Sequence, residues 1–194
     1  MVRFARPSEV SQVAALYHAV WHKTQAPFMP IDERTRRTLA FFVQRMSGLL
    51  ATTLVERRSG SIVGFSAWRG RLLGQLYVAK AFRGTNVAPL LMATAEREMA
   101  KEGIAEAELH CVAGNDRARR FYERVGWTCK GEIFEPVLGE GGEVGVAFWR
   151  MTKALCSPNH RDPFDARSTE PSGCSSRNLI GQLASGDWSA PPVG

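Results

Sequence analysis

Apolar residues recur at helical spacing in several stretches of this chain. Within residues 10–21 they follow the i, i+3, i+4, i+7 pattern of a helix that buries one stripe. The same spacing returns in residues 39–46 and 87–101, and a glycine follows each stretch as a suitable stop. Residues 115–127 are predicted as a further helix. The pattern therefore predicts about four helices.

Shorter apolar runs lie between these helices and predict β-strands. A tight turn at residues 58–60 joins two of the runs and indicates a hairpin. The last two runs are joined by residues 136–145, which hold a proline and four glycines and are expected to form a mobile loop. Helices and strands alternate along the chain, which is typical of an α/β fold. The predicted strands are 2–5, 49–57, 61–68, 75–79, 104–112, 127–134 and 144–151.

Length and composition are typical of one globular domain with an appendage. The chain has 194 residues, of which 44% are hydrophobic and 23% charged. No apolar run approaches the length of a membrane span, and residues 1–6 lack the apolar stretch of a secretory signal. From these two observations we expect a cytoplasmic protein. Because the composition shifts to Ser, Pro, Gly and Asp after residue 155, we expect a domain in residues 1–155 and a disordered or loosely attached tail in residues 156–194.

The net charge of +6 raises the alternative of a nucleic-acid-binding protein. The positive residues are scattered in short pairs, without interleaved aromatic residues, so we expect neither nucleic acid nor a membrane as a partner. The four cysteines are widely spaced and show no paired metal-ligand pattern. His18 and His22 lie one helical turn apart, but without a third ligand they are expected to be ordinary surface histidines, and no metal site is predicted.

The stretch 75–127 organises the rest of the chain. An apolar strand leads into a glycine-containing turn that opens the helix at 87–101. Such a turn leaves backbone N–H groups unpaired at the positive end of the helix dipole, which is a ready site for a pyrophosphate. Pro89 fits the first turn of the helix, where it removes no internal hydrogen bond.

Two segments of this stretch carry a family resemblance. Residues 83–88, Arg-Gly-Thr-Asn-Val-Ala, resemble the Gln/Arg-x-x-Gly-x-Gly/Ala acetyl-coenzyme A (acetyl-CoA) signature of the GNAT superfamily of N-acetyltransferases. Residues 115–127 are similar to that family's Asn-x-x-Ala-x-x-Phe-Tyr-x-x-x-Gly-Phe/Trp block. Asn86 replaces the usual glycine, at a position that tends to need a positive φ, a conformation that Asn tolerates. Its side chain could crowd the pyrophosphate and weaken cofactor binding.

The resemblance implies a GNAT-like fold. Its sheet would have six to seven mostly antiparallel strands, splayed at the two middle strands and flanked by about four helices. The backbone of residues 76–78 would hold the pantetheine arm and offer an oxyanion donor, and the turn at 83–89 would hold the pyrophosphate. The implied cofactor-binding residues are Leu76, Tyr77, Val78, Arg83, Gly84, Thr85, Asn86, Val87, Ala88, Pro89 and Asn115.

The resemblance also implies catalytic roles. Tyr122 matches the tyrosine that protonates the departing thiolate, with packing as a core aromatic as the alternative. His110 is the candidate general base, because its ordinary pKa near 6.5 suits that task. Glu108, on the same strand face, is the second choice for the base and a candidate acceptor contact. A solvated histidine at the strand edge remains the alternative for His110.

The first two helices and the loop between them form one wall of the acceptor pocket in this family. Trp21, Phe28 and Met29 are therefore candidate substrate contacts, and packing under the loop is the alternative, favoured for Trp21. The sequence predicts an N-acetyltransferase that uses acetyl-CoA in a ternary complex, with a non-catalytic acyl-CoA-binding sensor as the second hypothesis. The acceptor could be a small-molecule amine or a protein amine, and a homodimer is an open expectation.

Overall fold

The computed structural model describes residues 1–155, so the predicted tail at 156–194 lies outside the described residues. The described part contains five α-helices and seven β-strands. The helices are α1 Val10–Thr24, α2 Ile31–Arg36, α3 Leu39–Ser47, α4 Val87–Lys101 and α5 Asp116–Arg124. The strands are β1 Arg3–Phe4, β2 Thr53–Arg58, β3 Ser61–Arg69, β4 Leu72–Val78, β5 Glu106–Val112, β6 Thr128–Gly139 and β7 Gly142–Ala154. Among residues 1–155, no helix is both long and apolar enough to cross a membrane.

All strands belong to one sheet with the order β1-β2-β3-β4-β5-β7-β6. Neighbouring strands run antiparallel except β4 and β5, which are parallel. This topology confirms the predicted mixed, mostly antiparallel sheet. The two middle strands pair only at Leu72 and Glu108, near the start of β4, where the N–H of Glu108 donates to the carbonyl of Arg71 at 2.8 Å. Because the pairing stops there, β4 and β5 separate toward their carboxyl ends.

Helices cover both faces of the sheet. On one face, α1 and α3 bury residues such as Tyr17 and Phe42 against Tyr77 and Val112. On the other face, α4 packs with Cys111 and other residues of β5 and β7, and α5 lies against the same cluster. We call these the α1 face and the α4 face. Successive residues of a strand alternate between the two faces, so each strand contributes to both cores.

The long β6–β7 hairpin corrects one prediction. Residues 136–145 were expected to form a mobile loop, but Pro136 pairs with Gly145 and Val137 with Val144, and only residues 140 and 141 form the turn. Pro136 is tolerated because β6 is the edge strand, where one side of the backbone needs no ladder partner. The prediction of a loop from the proline and the glycines was therefore wrong, because strand pairing along the hairpin outweighs the preference of these residues for turns.

The segment 23–33 also differs from the predicted loop. It contains a short helical turn and the start of α2, which has Asp32 and Glu33 in its first turn. The side chain of Glu33 is fully buried and accepts hydrogen bonds from Arg36 at 2.7 Å and from the N–H of Leu138 at 3.3 Å, and it pairs with Arg37. Glu33 therefore ties α2 to β6 on the α1 face.

Candidate active site

The gap between β4 and β5 is lined by backbone groups. On the β4 side, the N–H of Ala79 donates to the carbonyl of Val63 on β3 at 2.8 Å. Hydrogen-bonded pairs recur at every second residue of an antiparallel ladder, so Tyr77 bonds to Phe65, while the N–H and C=O of Leu76 and Val78 point into the gap. Two of the three predicted pantetheine residues thus present backbone groups there, whereas the N–H of Tyr77 belongs to the ladder.

The same reasoning applies to β5. The N–H of Ala113 donates to the carbonyl of Ala147 at 2.9 Å, so every second residue of β5 bonds to β7. The backbone groups of the intervening residues, His110 and Val112, therefore face β4. A widening gap with polar backbone on both sides can accept an extended chain in the way that a sheet accepts an added strand.

The turn before α4 adopts the expected open form, with one correction. The left-handed conformation occurs at Gly84, where φ is +77°, and not at Asn86, where φ is −77°. Asn86 is therefore an unstrained residue that begins the helix, and the expected conformational cost of replacing glycine does not arise. The hydroxyl of Thr85 donates to the carbonyl of Phe82 at 2.6 Å and fixes the bend.

This turn exposes donors to a ligand. The N–H of Leu90 donates to the carbonyl of Asn86 at 3.1 Å and closes the first turn of α4. Within residues 1–155, the N–H groups of Gly84, Thr85, Asn86 and Ala88 donate to no protein acceptor. Val87 is buried and anchors the turn to the sheet, and Pro89 follows inside the first helical turn. The arrangement suits an anion, as the sequence predicts.

Two guanidinium groups lie beside the turn. The Nε of Arg83 donates to the carbonyl of Val78 at 3.3 Å, so the side chain reaches back to the end of β4. Burial and the nearby positive charge of Arg117 lower the pKa of Arg83 below its ordinary value. Repulsion between two cations is relieved when an anion binds between them. Arg117, an exposed residue of α5, was not among the predicted site residues.

Asn115 is the N-cap of α5. Its Oδ1 accepts a hydrogen bond from the N–H of Ala118 at 3.3 Å, and its own N–H donates to the carbonyl of Val112 at 3.1 Å. The side-chain oxygen therefore has a structural function. The amide NH₂ is the part of Asn115 that could serve the predicted contact with the cofactor.

Tyr122 lies on α5, on the α4 face of the sheet. Its side chain packs against the core of the α4 face, and burial together with the neighbouring Cys111 of β5 raises its pKa. Burial chiefly raises the pKa of Tyr77 on β4, and the nearby phenols of Tyr17 and Tyr122 add to the shift. The cluster that its ring packs against includes Val78 of β4 and Cys111 of β5, so the ring lies on the α4 face near the two middle strands. At neutral pH the phenol is fully protonated and can donate a proton.

His110 projects from β5 on the α1 face. Its Nε2 lies 2.8 Å from Oε1 of Glu108, and its Nδ1 contacts Oε1 of Glu135 on β6. Burial alone would lower the pKa of His110, but the two carboxylates outweigh burial and raise it. Both ring nitrogens can donate at once only in the imidazolium form. Both ring nitrogens contact carboxylate oxygens, so neither is directed at a ligand, and the predicted function of His110 as the general base stays a prediction.

Glu108 is engaged in the same way. Its Oε2 accepts from Nε of Arg150 at 3.0 Å and also contacts Arg71. Burial would raise the pKa of Glu108, yet hydrogen bonds from Arg150, His110 and Arg71 lower it to about 2. A carboxylate with so low a pKa is a weak base. The second predicted choice for the base is therefore disfavoured.

The predicted acceptor residues separate into two groups. Trp21 and Met29 are 4% and 8% exposed and lie in the core of the α1 face, so the packing alternative describes them. Phe28 is 39% exposed, and a Cβ added to Gly114 would lie 2.8 Å from its ring. Because Gly114 directly precedes Asn115, Phe28 lies beside the start of α5 and remains a candidate substrate contact.

Sequence reasoning missed Glu135. The predicted strand ended at residue 134, so nothing placed Glu135 on a face of the sheet, whereas β6 continues to Gly139. The local sequence Ile-Phe-Glu-Pro-Val shows no period-two alternation, so no local signal pointed to this strand extension. In the described residues, no group of three or more His, Cys, Asp or Glu side chains could hold a metal ion. Nε2 of His22 instead lies 2.9 Å from the carbonyl of Arg37.

The comparisons with known proteins agree with this geometry. A family model described as "Acetyltransferase (GNAT) domain" matches residues 38–155, which is more than half of the chain. "Acetyltransferase Atu2258" of Agrobacterium fabrum is 42% identical over 76 residues, which are 39% of this chain and 53% of that protein. The chain therefore spans about half the length of this curated relative.

Solved structures share the fold. A GCN5-related N-acetyltransferase of Rhodopseudomonas palustris superposes with a TM-score of 0.65 at 24% identity, covering 80% of this chain and 95% of that one. The yncA protein of Salmonella typhimurium, solved with its cofactor acetyl-CoA, has a TM-score of 0.58 at 18% identity and covers 90% of this chain and 98% of its own. These likenesses show the fold, and the match to the family model shows that this chain belongs to the GNAT acetyltransferases.

Proposed function

We propose that this chain transfers the acetyl group of acetyl-CoA to a primary amine by direct attack in a ternary complex. The observation that carries the proposal is the gap between β4 and β5, which widens toward a turn with unpaired N–H groups before α4. Tyr122 of α5 packs on the α4 face near the two strands that form the gap, which supports a role beside the thioester. Acetyl-CoA supplies a thioester, whose carbonyl carbon the amine attacks and whose sulfur leaves.

The chain has groups suited to each part of the cofactor. Unpaired N–H groups at residues 84–86 and 88 and the guanidinium groups of Arg83 and Arg117 suit its phosphates. The backbone of Leu76 and Val78 suits the amides of the pantetheine arm, as an added strand would. One of these two N–H groups, rather than that of Tyr77, would stabilise negative charge on the thioester oxygen.

In this proposal, Tyr122 gives a proton to the departing sulfur. The C–N bond forms as the C–S bond breaks, and the thiolate takes the phenolic proton of Tyr122. The new amide nitrogen then returns a proton to the phenolate, so that Tyr122 is regenerated. Because its pKa is raised, the phenol of Tyr122 carries its proton at neutral pH and is available as a donor when the sulfur leaves. Low solvent access also disfavours a free thiolate, so the proton transfer accompanies the breaking of the C–S bond.

The engaged state of His110 and Glu108 is the observation that favours the second hypothesis, a non-catalytic acyl-CoA sensor. A panel of propylamine, spermidine and a tripeptide with a free amino terminus separates the two. We expect the full chain to release coenzyme A from acetyl-CoA with at least one of these amines. Tight binding of acetyl-CoA without release on any of the three would support the sensor.

Tyr122→Phe tests the mechanism. We expect kcat to fall by about 100-fold or more, while the Kd for acetyl-CoA changes little, because the ring still packs and only the proton donor is lost. Tyr17→Phe is the matched control, since it removes a phenol that packs against Tyr77 at a ring distance of 4.5 Å on the α1 face. If Tyr122→Phe weakens cofactor binding but leaves kcat unchanged, Tyr122 is a packing residue.

A further inference from the structure

A row of charged side chains crosses the α1 face beside the gap. Glu108 contacts Arg71 and Arg150 on one side and His110 on the other, and His110 contacts Glu135. The carboxylates at the two ends of the row differ in how many partners they have. Glu108 has three cationic partners, whereas Glu135 uses only its Oε1, and its side chain is 30% exposed. Glu135 is therefore the end of the row with an oxygen that remains available to a ligand.

The position of the row relative to the gap matters for the chemistry. Glu108 and His110 alternate along β5 with Leu109 and Cys111, which are buried on the α4 face. The row consequently lies on the opposite side of the sheet from α5, which holds Tyr122. An amine held by the row would reach the thioester from the α1 face, while the sulfur meets Tyr122 at the other side of the gap.

We propose that Glu135 binds the acceptor as an ammonium ion and takes its first proton, and that His110 is a positioning residue that orients the Glu135 carboxylate. The proposal rests on the proposed acetyltransferase function and names the group that prepares its acceptor. The ammonium R–NH₃⁺ gives one proton to the free oxygen of Glu135 and becomes R–NH₂. The nitrogen lone pair then forms the C–N bond, and the proton on Glu135 passes to solvent.

The charges around His110 explain why it positions and does not accept the proton. Glu108 of the same strand and Glu135 of β6 face the ring directly, and Arg150 of β7 and Arg71 of the turn before β4 face it through Glu108. An imidazolium between two carboxylates is stabilised with one proton on each ring nitrogen. Glu135, in contrast, is partly exposed to solvent and has a single partner, so one of its oxygens is accessible to water and to a ligand.

Variants at residue 135 test the catalytic role. We expect Glu135→Gln to lower kcat/KM by about 100-fold for whichever amine of the panel is turned over, without changing the Kd for acetyl-CoA. Glu132→Gln is the matched control, because Glu132 is an exposed carboxylate three residues earlier on β6 and lies on the opposite face. A loss with Glu132→Gln as large as that with Glu135→Gln would overturn the proposal.

Two variants of His110 test the positioning role. His110→Gln keeps an N–H donor for Glu135, whereas His110→Ala removes it. We expect a loss of about tenfold in kcat/KM for His110→Gln and a clearly larger loss for His110→Ala. If both variants lose activity equally, and more than Glu135→Gln does, His110 is the base and the proposal is wrong.

A measurement without turnover separates this proposal from the acetyltransferase function. We expect nitrogen-15 NMR of the ring, assigned with His110→Gln, to show both nitrogens of His110 protonated at pH 7.5. In the complex with coenzyme A, propylamine should shift the His110 ring signals in the wild-type chain but not in Glu135→Gln. A neutral His110 at pH 7.5, or no shift with propylamine, would contradict the function of Glu135 even in an active enzyme. If propylamine shifts the His110 ring signals as expected but the chain acetylates no amine, the binding of the ammonium ion by Glu135 is supported and only the acetyltransferase function is contradicted.

Discussion

Gly64→Ala is expected to displace the start of α4 and with it the turn at residues 83–86, which we call the cofactor turn. Gly64 on β3 pairs with Val78, and an added Cβ would lie 2.9 Å from both Leu91 Cδ1 and Val87 Cγ1 and 3.2 Å from the carbonyl oxygen of Tyr77. Val87 and Leu91 are buried residues of the first turns of α4. The glycine is therefore needed for the close approach of the helix.

The magnitude follows from these contacts. Two carbon atoms approach comfortably at about 3.5–4.0 Å, so the start of α4 has to move by roughly 0.6–1 Å. Overpacking of this size costs about 1–3 kcal/mol of the free energy of unfolding. Because Val87 directly follows the turn at 83–86, the same displacement moves the N–H groups of the turn. We expect the affinity for coenzyme A to fall by about tenfold, which corresponds to ~1.4 kcal/mol.

Urea unfolding and calorimetric binding of coenzyme A measure the two effects. Gly48→Ala is the control, because Gly48 has an ordinary negative φ and its added Cβ would meet no atom closer than 3.6 Å. Its cost should stay within about 0.5 kcal/mol. In the double variant Gly64→Ala with Leu91→Ala, the new methyl group occupies space that the leucine vacates, so the combined cost should be smaller than the sum. An additive double variant, or a stable Gly64→Ala that binds coenzyme A normally, would refute the reasoning.

Two further predictions concern the start of α5 and acid stability. Gly114→Ala should lower turnover, because φ there is +94° and the added Cβ would lie 2.8 Å from the ring of Phe28. Adding Phe28→Ala to this variant should partly restore turnover. Gly103→Ala, where φ is +84° and no atom lies near the added Cβ, measures the backbone cost alone by urea unfolding. Hydrogen bonds from Arg3 hold the pKa of Glu9 at about 2, so the stability that this carboxylate contributes is complete above the ordinary glutamate pKa of about 4.3 and is lost as the pH falls toward 2. Glu9→Gln should therefore show a shallower loss of stability between pH 4.5 and pH 2 than the wild-type chain.

Local signals explain the parts of the fold that the sequence predicts well. The helix at 87–101 has the predicted bounds, because Gly103, with φ of +84°, stops it and Pro89 is compatible with its first turn. The hairpin between β2 and β3 follows from Ser59 and Gly60, both of which have positive φ. The cofactor turn is predicted for the same reason, since its chemistry depends on residues close together in the chain.

The acceptor side could not be predicted in the same way. The partner of His110 on β6 is 25 residues away in the chain, and the contact depends on how far the hairpin extends. The sequence around Pro136 favours a loop, and only pairing with β7 continues the strand through Glu135. Similarly, the carboxylate of Glu33 accepts a hydrogen bond from the N–H of Leu138, which is 105 residues away in the chain. Contacts of this kind are set by tertiary structure and leave no local pattern.

The register of β5 separates the two proposed proton transfers. Its pairs with β7, from Glu106 with Ala154 to Val112 with Phe148, fix which residues face α1 and which face α4. A slip by one residue would move the thiol of Cys111 to the α1 face, beside the charged row, and His110 into the apolar core of the α4 face. Burying an imidazolium away from its carboxylates is costly, so the charged row and the apolar core each oppose the slip. The pairing that stabilises the sheet thus also keeps His110 beside Glu135, the proposed proton acceptor, on the face opposite to Tyr122, the proposed proton donor.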